Sequence, residues 1–356
     1  MTNHPKQSLA RPTPEQVAWQ DLELGTFIHF APNTWQDRPF DDHSTPLSAI
    51  NPAQLDTDQW ADVAVSAGSR YVVLVAKHVG GFCLWQTDTN PYSIRHTPWR
   101  GGKGDIVADL ARSCAKRGLK FGVYLSPQDE SLGASVGGRT KDPAAQARYN
   151  AIFRRQLTEL LTRYGPIVEI WFDGSLVVPV ADIIRTQAPA AMVFQSAQAT
   201  IRWVGNESGL TPYPSWNAVR RDEALTGIAT AANSDPDGEV WLPIEADTTL
   251  TDDWFWRTDN AHKLKSLGMT ANLPQPDGCV AAFVRTDSRH SPAPDRGGRS
   301  SRESHATERV SDSPAGCVAR ESVFRSLRRR PDHVAERRFR CGRSRSAGVA
   351  RRLLRP

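Results

Sequence analysis

Residues 56–76 read DTDQWADVAVSAGSRYVVLVA, and the passage changes period in its middle. Up to Gly68 the apolar residues recur at helical spacing behind an Asp56 cap, and a glycine is a common helix stop. From 70 to 76 the run is apolar without a break, the pattern of a strand buried on both faces. The alternation extends both ways along the chain. Upstream, GTFIHF (25–30) predicts a strand. Downstream, GDIVADLARSCAKRG (104–118) sets Ile106, Val107, Leu110 and Cys114 on one helical face, and KFGVYLS (120–126) is the next strand. Tyr149, Ile152, Phe153, Leu157, Leu160 and Tyr164 then form the stripe of a long helix. PIVEIWFDG (166–174) and MVFQ (192–195) predict strands around a short helix at VADIIRTQA (180–188). The stretch 196–238 is rich in loop residues, EVWLPIEAD (239–247) predicts a strand, and 260–267 a helix.

Repeated strand–helix units imply an α/β fold with a parallel sheet and right-handed crossovers. An open doubly wound sheet and a (β/α)8 barrel both satisfy that order. No glycine-rich phosphate loop follows the first strand, which leaves a nucleotide-binding domain unsupported. Polar residues instead sit just past strand ends, at His29, His78, Tyr124 and Asp173. A barrel collects its chemistry in that way. The expectation is a (β/α)8-type barrel over residues 15–284, incomplete at its closing end.

The composition changes near residue 284. All 11 Trp and all 6 Tyr precede residue 257, and residues 285–356 hold 19 Arg, no Lys and 8 acidic residues. The tail is strongly basic, although the whole chain is only +5. Its aromatic side chains are Phe324 and Phe339 alone, so it offers little to stack on a base, and nucleic acid is not an expected partner. It also has too few apolar residues to offset the entropy of ordering. Arg, Ser, Gly, Ala and Pro without Lys, Ile or Tyr is what a G+C-rich coding region yields out of frame. We expect residues 285–356 to form a degenerate, disordered or frame-shifted tail. The longest apolar runs are strand-sized, which argues against a membrane-spanning helix and a membrane partner. The first residues show no apolar core of a signal peptide, so the chain reads as cytoplasmic. Five dispersed cysteines without a CxxC pair predict neither a disulfide framework nor a structural zinc site.

Asp173 ends the apolar strand EIWFDG before a glycine, which fixes a carboxylate at a strand mouth; the same position can simply cap the next helix. Glu207, in IRWVGNESG, lies among Arg202, Trp203 and Asn206, where partial desolvation would raise a general acid; otherwise it is a solvated loop residue. Two carboxyls among tryptophans point to glycoside hydrolysis, which needs one group for the proton and one for the anomeric carbon. That chemistry requires no cofactor. His29 and His78 follow equivalent strands and suit hydroxyl recognition, whereas a zinc site lacks an HxH or HExxH spacing. Trp85, Trp203, Trp254 and Trp256 either line a glycan site or fill the core. In WFW, Trp254 and Trp256 share a face if that segment is extended.

At these residues the sequence resembles glycoside hydrolase family 29, the retaining α-L-fucosidases. The matching segments are GTFIHFAPNTW, AKHVGGFCLWQTDT, YSIRHTPWRGGKGDIVADLA, GLKFGVYLSP, YNAIFRRQLTELLTRYGPIVEIWFDG, IRWVGNESG and WLPIEADTTLTDDWFW, in family order from about residue 15 to 267. The WVGNE and PxExD…WFW segments are most similar to the branch acting on α-1,3/1,4-linked fucose in Lewis-type glycans. The resemblance implies a barrel with a C-terminal β-sandwich and a double displacement on a fucosylated oligosaccharide or glycoconjugate. By motif, Asp173 would be the nucleophile and Glu207 the acid/base. His29 and His78 would hold fucose hydroxyls, with Trp85, Tyr124 and Trp203 nearby.

Three departures accompany the resemblance. The family's KHHDGF segment is Lys77-His78-Val79-Gly80-Gly81-Phe82 here, which removes hydrogen-bonding groups and predicts extra volume in the sugar pocket. An acidic-aromatic EWGDG-like stretch is replaced by Asp37-Arg38-Pro39-Phe40-Asp41. The segments after HKLKSL have no clear counterpart beyond Ala293-Pro294-Asp295-Arg296, which is similar to a later PPDR turn. The alternative to an enzyme is an inactive glycan-binding homologue with a damaged barrel.

Overall fold

Helical caps and buried strands alternate as their sequences predict. The computed structural model describes residues 9–260, 263 and 265, together with the backbone strand 280–286. A Thr13–Gln16 capping box opens α1 (Pro14–Gln20), which leads into β1 (Leu24–His29) and the single turn α2 (Asn33–Gln36). Asp56 accepts the Asp58 and Gln59 N–H groups to start α3 (Thr57–Ser66), and β2 (Tyr71–Lys77) follows, buried along its whole length. Asp105 caps α4 (Ile106–Arg117), and Gly118 ends it at φ 70°, a conformation that favours glycine. Then come β3 (Lys120–Leu125), α5 (Pro143–Arg163) behind its Asp142 cap, β4 (Ile167–Trp171), α6 (Ala181–Gln187) and β5 (Met192–Phe194). Shorter elements complete the order: β6 (Arg202–Trp203), β7 (Ala218–Val219), α7 (Arg221–Leu225), β8 (Val240–Trp241), β9 (Ile244–Thr248) and β10 (Val280–Thr286).

One sheet of eight strands runs β5-β4-β3-β2-β1-β10-β9-β6, and β7 and β8 pair separately. From β1 to β5 every pairing is parallel. At the two ends of the sheet, Phe194 of β5 makes an isolated parallel bridge to Ile201, the residue before β6. The sheet is of the expected α/β kind, but it differs from an all-parallel barrel in one strand. β10 runs antiparallel to both β1 and β9 and pairs Leu24–His29 with residues 280–285, so the edge of β1 is covered by an antiparallel neighbour. The expected boundary between residues 284 and 285 consequently falls inside a strand. The rest of the expected tail, the expected β-sandwich and almost all of the expected 260–267 helix lie outside the described residues.

The strand expected over 239–247 divides into β8 and β9. Pro243, which has no N–H to give a ladder, sits at the break, and its carbonyl accepts from the Arg202 N–H. Beyond it β9 can enter the main sheet beside β6.

Strand residues alternate between two buried faces. Ile28, Val72, Leu74, Val123, Ile170 and Val193 pack under the helices in one large core, while Phe27, Tyr71, Val73, Tyr124, Trp171 and Phe194 form a second, aromatic cluster on the opposite face. The period of two thus points every second side chain into one interior. The candidate site is the upper rung of that interior. Among the described residues no helix is long and apolar enough to cross a membrane.

Candidate active site

Continuing that alternation to the C-terminal strand ends brings His29 after Phe27, Asp173 after Trp171, and Asp247 after Glu245. These converge on a cavity of about 220 Å³ lined also by Phe40, His78, Tyr124, Phe194, Gln195, Trp203, Glu207 and Trp254. Six of the seven residues that the family resemblance assigns to the site are therefore brought together. Trp85 is not. It is fully buried in the helix-side core, and its Nε1–H donates to Glu159 Oε2 at 2.8 Å. The GFCLW segment contains no regular strand whose alternation would have told its two faces apart.

Asp173 sits at the cavity mouth, open to solvent but enclosed by protein walls. Loss of solvation raises its carboxyl above the usual range, opposed by the Tyr124 hydroxyl, which donates to Oδ2 at 2.9 Å, and by the Gly174 N–H. The Tyr124 ring lies almost parallel to Trp171, which stacks on Phe194 at 3.5 Å. The carboxylate is thus positioned by aromatic packing below it and a hydroxyl beside it. Glu207 lines the same cavity from the loop after β6, but it is exposed rather than desolvated as expected.

His29 and His78 lie 6.2 Å apart between ring centroids. Phe255 packs edge-on against both, and Trp254 lies against His29 at 5.0 Å. Burial lowers the His78 imidazole to about 4, opposed by the charge of Asp41. Burial, with His78 alongside, holds His29 well below its usual value. Both rings are neutral at neutral pH, and the buried His29 Nδ1 has no hydrogen-bond partner among the described residues. Neutral imidazoles can both donate to and accept from a hydroxyl. The WFW segment is not extended. Trp254 faces the cavity, while Trp256 packs with Ala67 and Leu250 elsewhere.

Sequence reading missed a third carboxyl. Asp247 is 2% exposed, accepts the Trp203 Nε1–H at 2.7 Å, and is pushed up to about 7, chiefly by burial and further by the charges of Glu207 and Asp173. Trp203 therefore acts as a donor to Asp247 as well as a wall. One rung below, Glu169 and Glu245 are fully buried and held by Trp19 Nε1–H and Trp171 Nε1–H. Burial raises both, and the like charges raise Glu245 further. The signal for Asp247 was present: it is two residues from Glu245 on a strand of period two. Among the described residues no group of three or more His, Cys, Asp or Glu is arranged to hold a metal ion.

The Alpha-L-fucosidase family model matches residues 34–270. The chain belongs to the α-L-fucosidase family. Alpha-L-fucosidase 1 of Arabidopsis thaliana is 34% identical over 273 residues, covering 73% of this chain and 52% of the relative. A putative α-L-fucosidase 1 of Oryza sativa is also 34% identical and again covered over 52% of its length. The chain thus spans about half the length of these curated relatives. A putative α-L-fucosidase structure from Bacteroides thetaiotaomicron superposes with a TM-score of 0.67 at 30% identity, over 74% of this chain and 67% of that one. A Ruminococcus gnavus family 29 fucosidase in complex with fucose superposes at 0.62 with 26% identity, over 75% and 60%. Against the α-L-fucosidase pattern, Gly80 opens no pocket volume. A Cβ there would lie 2.8 Å from Asp41 Cβ and Oδ2, so that space is already filled.

Proposed function

We propose that this chain is a retaining α-L-fucosidase that releases terminal α-linked L-fucose from glycans, acting on α-1,3/1,4 linkages of branched, Lewis-type oligosaccharides. One observation carries the proposal: Asp173 and Glu207, from separate strand ends, line a single cavity with two neutral histidines and seven aromatic rings. Aromatic walls suit the C–H faces and methyl group of a deoxy sugar, while imidazoles suit its hydroxyls. The fucose complex of the Ruminococcus gnavus relative supports the same sugar as ligand.

Glu207, exposed at the rim, protonates the departing glycosidic oxygen as Asp173 forms a bond to C1 and the C1–O bond breaks. Glu207 then takes a proton from water, which attacks C1 and frees Asp173 with the original anomeric configuration. This double displacement requires the carboxyl groups about 5–5.5 Å apart at reaction. Tyr124 steadies the ionised form of Asp173 by donating to it.

The test is fucose release by the purified full-length chain from 4-nitrophenyl α-L-fucoside and from a Lewis-type trisaccharide, with the first-formed anomer read by NMR. Asp173→Ala should abolish both reactions. Glu207→Ala should hurt the trisaccharide far more than the aryl fucoside, whose leaving group needs little protonation. Fucose binding without release by the unmodified chain would favour the glycan-binding alternative, and inversion would overturn the mechanism.

A further inference from the structure

The loop after α2 carries a carboxylate that the proposed reaction does not use. Asp41 is 7% exposed and accepts three hydrogen bonds: Oδ1 from Gln36 Nε2 at 2.7 Å and the His43 N–H at 2.9 Å, and Oδ2 from the Tyr92 hydroxyl at 2.7 Å. The first two fold the loop on itself. The third reaches 51 residues along the chain and ties the loop to the segment after β2. Two further contacts cross the same seam. His43 Nε2 hydrogen-bonds the Gly80 carbonyl at 2.8 Å, and the Phe40 ring stacks on His78 at 6.3 Å. Phe40 and His78 are the residues these two segments give to the cavity.

Gly80 shows why the seam closes. A Cβ at that position would lie 2.8 Å from both Cβ and Oδ2 of Asp41, closer than such atoms pack. The Gly80 backbone is not in the left-handed region, unlike that of Gly81 at φ 91°, so Asp41 is what bars a side chain there. The two positions compete for one volume.

We propose that Asp41 is a positioning residue of the candidate site: its carboxylate takes the place of a side chain at position 80 and clamps residues 36–43 against residues 78–92, so that Phe40 and His78 face the cavity. The kinetic part of the test rests on the α-L-fucosidase reading, and the structural part does not.

The experiment compares the full-length chain with Asp41→Gly, Gly80→Asp and the double variant, by thermal unfolding and by KM and kcat on 4-nitrophenyl α-L-fucoside. Each single variant should unfold at lower temperature and raise KM about tenfold, with a smaller change in kcat, and the double variant should return KM to within about threefold of the starting chain. Its unfolding temperature should lie above that of both singles. A tolerated Gly80→Asp, a double variant no better than the worse single, or variants that unfold early with unchanged KM would each overturn the proposal. If the unmodified chain fails to hydrolyse the fucoside, the fucosidase reading falls, and the unfolding cycle decides this proposal alone: rescue supports it and additivity overturns it. Should Asp41→Gly not fold, a folded double variant counts as rescue and an unfolded one as refutation.

Discussion

Replacing Asp247 by Asn isolates the electrical cost of the upper rung. Asn keeps an oxygen to accept the Trp203 Nε1–H but cannot ionise. Asp247 is raised from 3.8 to about 7 in the folded chain. Below pH about 4 the carboxyl is protonated in folded and unfolded chains alike and contributes no pH dependence. As pH climbs, the unfolded carboxyl ionises first, the folded one keeps its proton to about 7, and stability falls across that interval. At about 1.4 kcal/mol for each pH unit between the two values, the loss is on the order of 4 kcal/mol by pH 8. Glu169 and Glu245 slope the curve in the same direction and are present in both proteins, so most of their contribution cancels, while the part of the Glu245 rise that the Asp247 charge causes is lost in the variant and widens the separation. Urea unfolding of the full-length chain and of Asp247→Asn from pH 4 to pH 8 should therefore give curves that separate, the variant gaining on its parent by several kcal/mol as pH rises. A difference that stays constant within about 1 kcal/mol over that range would refute the assigned environment of Asp247.

Two other outcomes follow from the same side chains. Trp85→Phe leaves Glu159 Oε2 without its indole donor in a buried setting, so stability should drop by about 1–3 kcal/mol while KM for an aryl fucoside stays within twofold of about its original value; a large rise in KM would return Trp85 to the sugar site. Free L-fucose affinity of Asp247→Asn, which lacks the cavity carboxyl raised to about 7, should be flat from pH 6 to 8 by titration calorimetry and weaken only as pH approaches about 4, where His78 gains a proton; a midpoint near pH 6.5 in that variant would show an ordinary, solvated imidazole.

The features legible in the sequence were those written in local period. The apolar run of β2, the cap and stop of α4 and the placement of Asp173 at a strand end all depend on neighbours within a few residues. Features that depend on distant partners were opaque. Asp41 meets Tyr92 and Gly80 across the seam, and nothing near either position announces the other. The antiparallel course of β10 is likewise set by its pairing with β1 and β9, not by its own composition. Asp247 lies between these cases. Its strand was recognised, and a period of two sets Glu245 and Asp247 on one face, but β9 is buried on both faces, so its sequence alone does not say which face meets the cavity. Trp85 was carried to the site by motif and the structure returns it to the core, while in the WFW segment a period of two was assumed where the backbone is not extended.

The walls of the cavity belong to two kinds of backbone. His29, Tyr124, Trp171, Phe194 and Asp247 hang from strands, whereas Phe40, Glu207 and Trp254 come from loops. Strand spacing is set by a ladder of hydrogen bonds that single substitutions scarcely move, so the geometry of the strand-borne walls is inherited with the fold. Loops carry no such ladder and can be exchanged piecemeal. An engineer wishing to change what the cavity admits should accordingly resample residues 38–40, 208–210 and 251–256, sparing Asp41 and Glu207, and leave the strands untouched. The rim of the cavity can then change quickly in this architecture while its strand-borne walls stay in place.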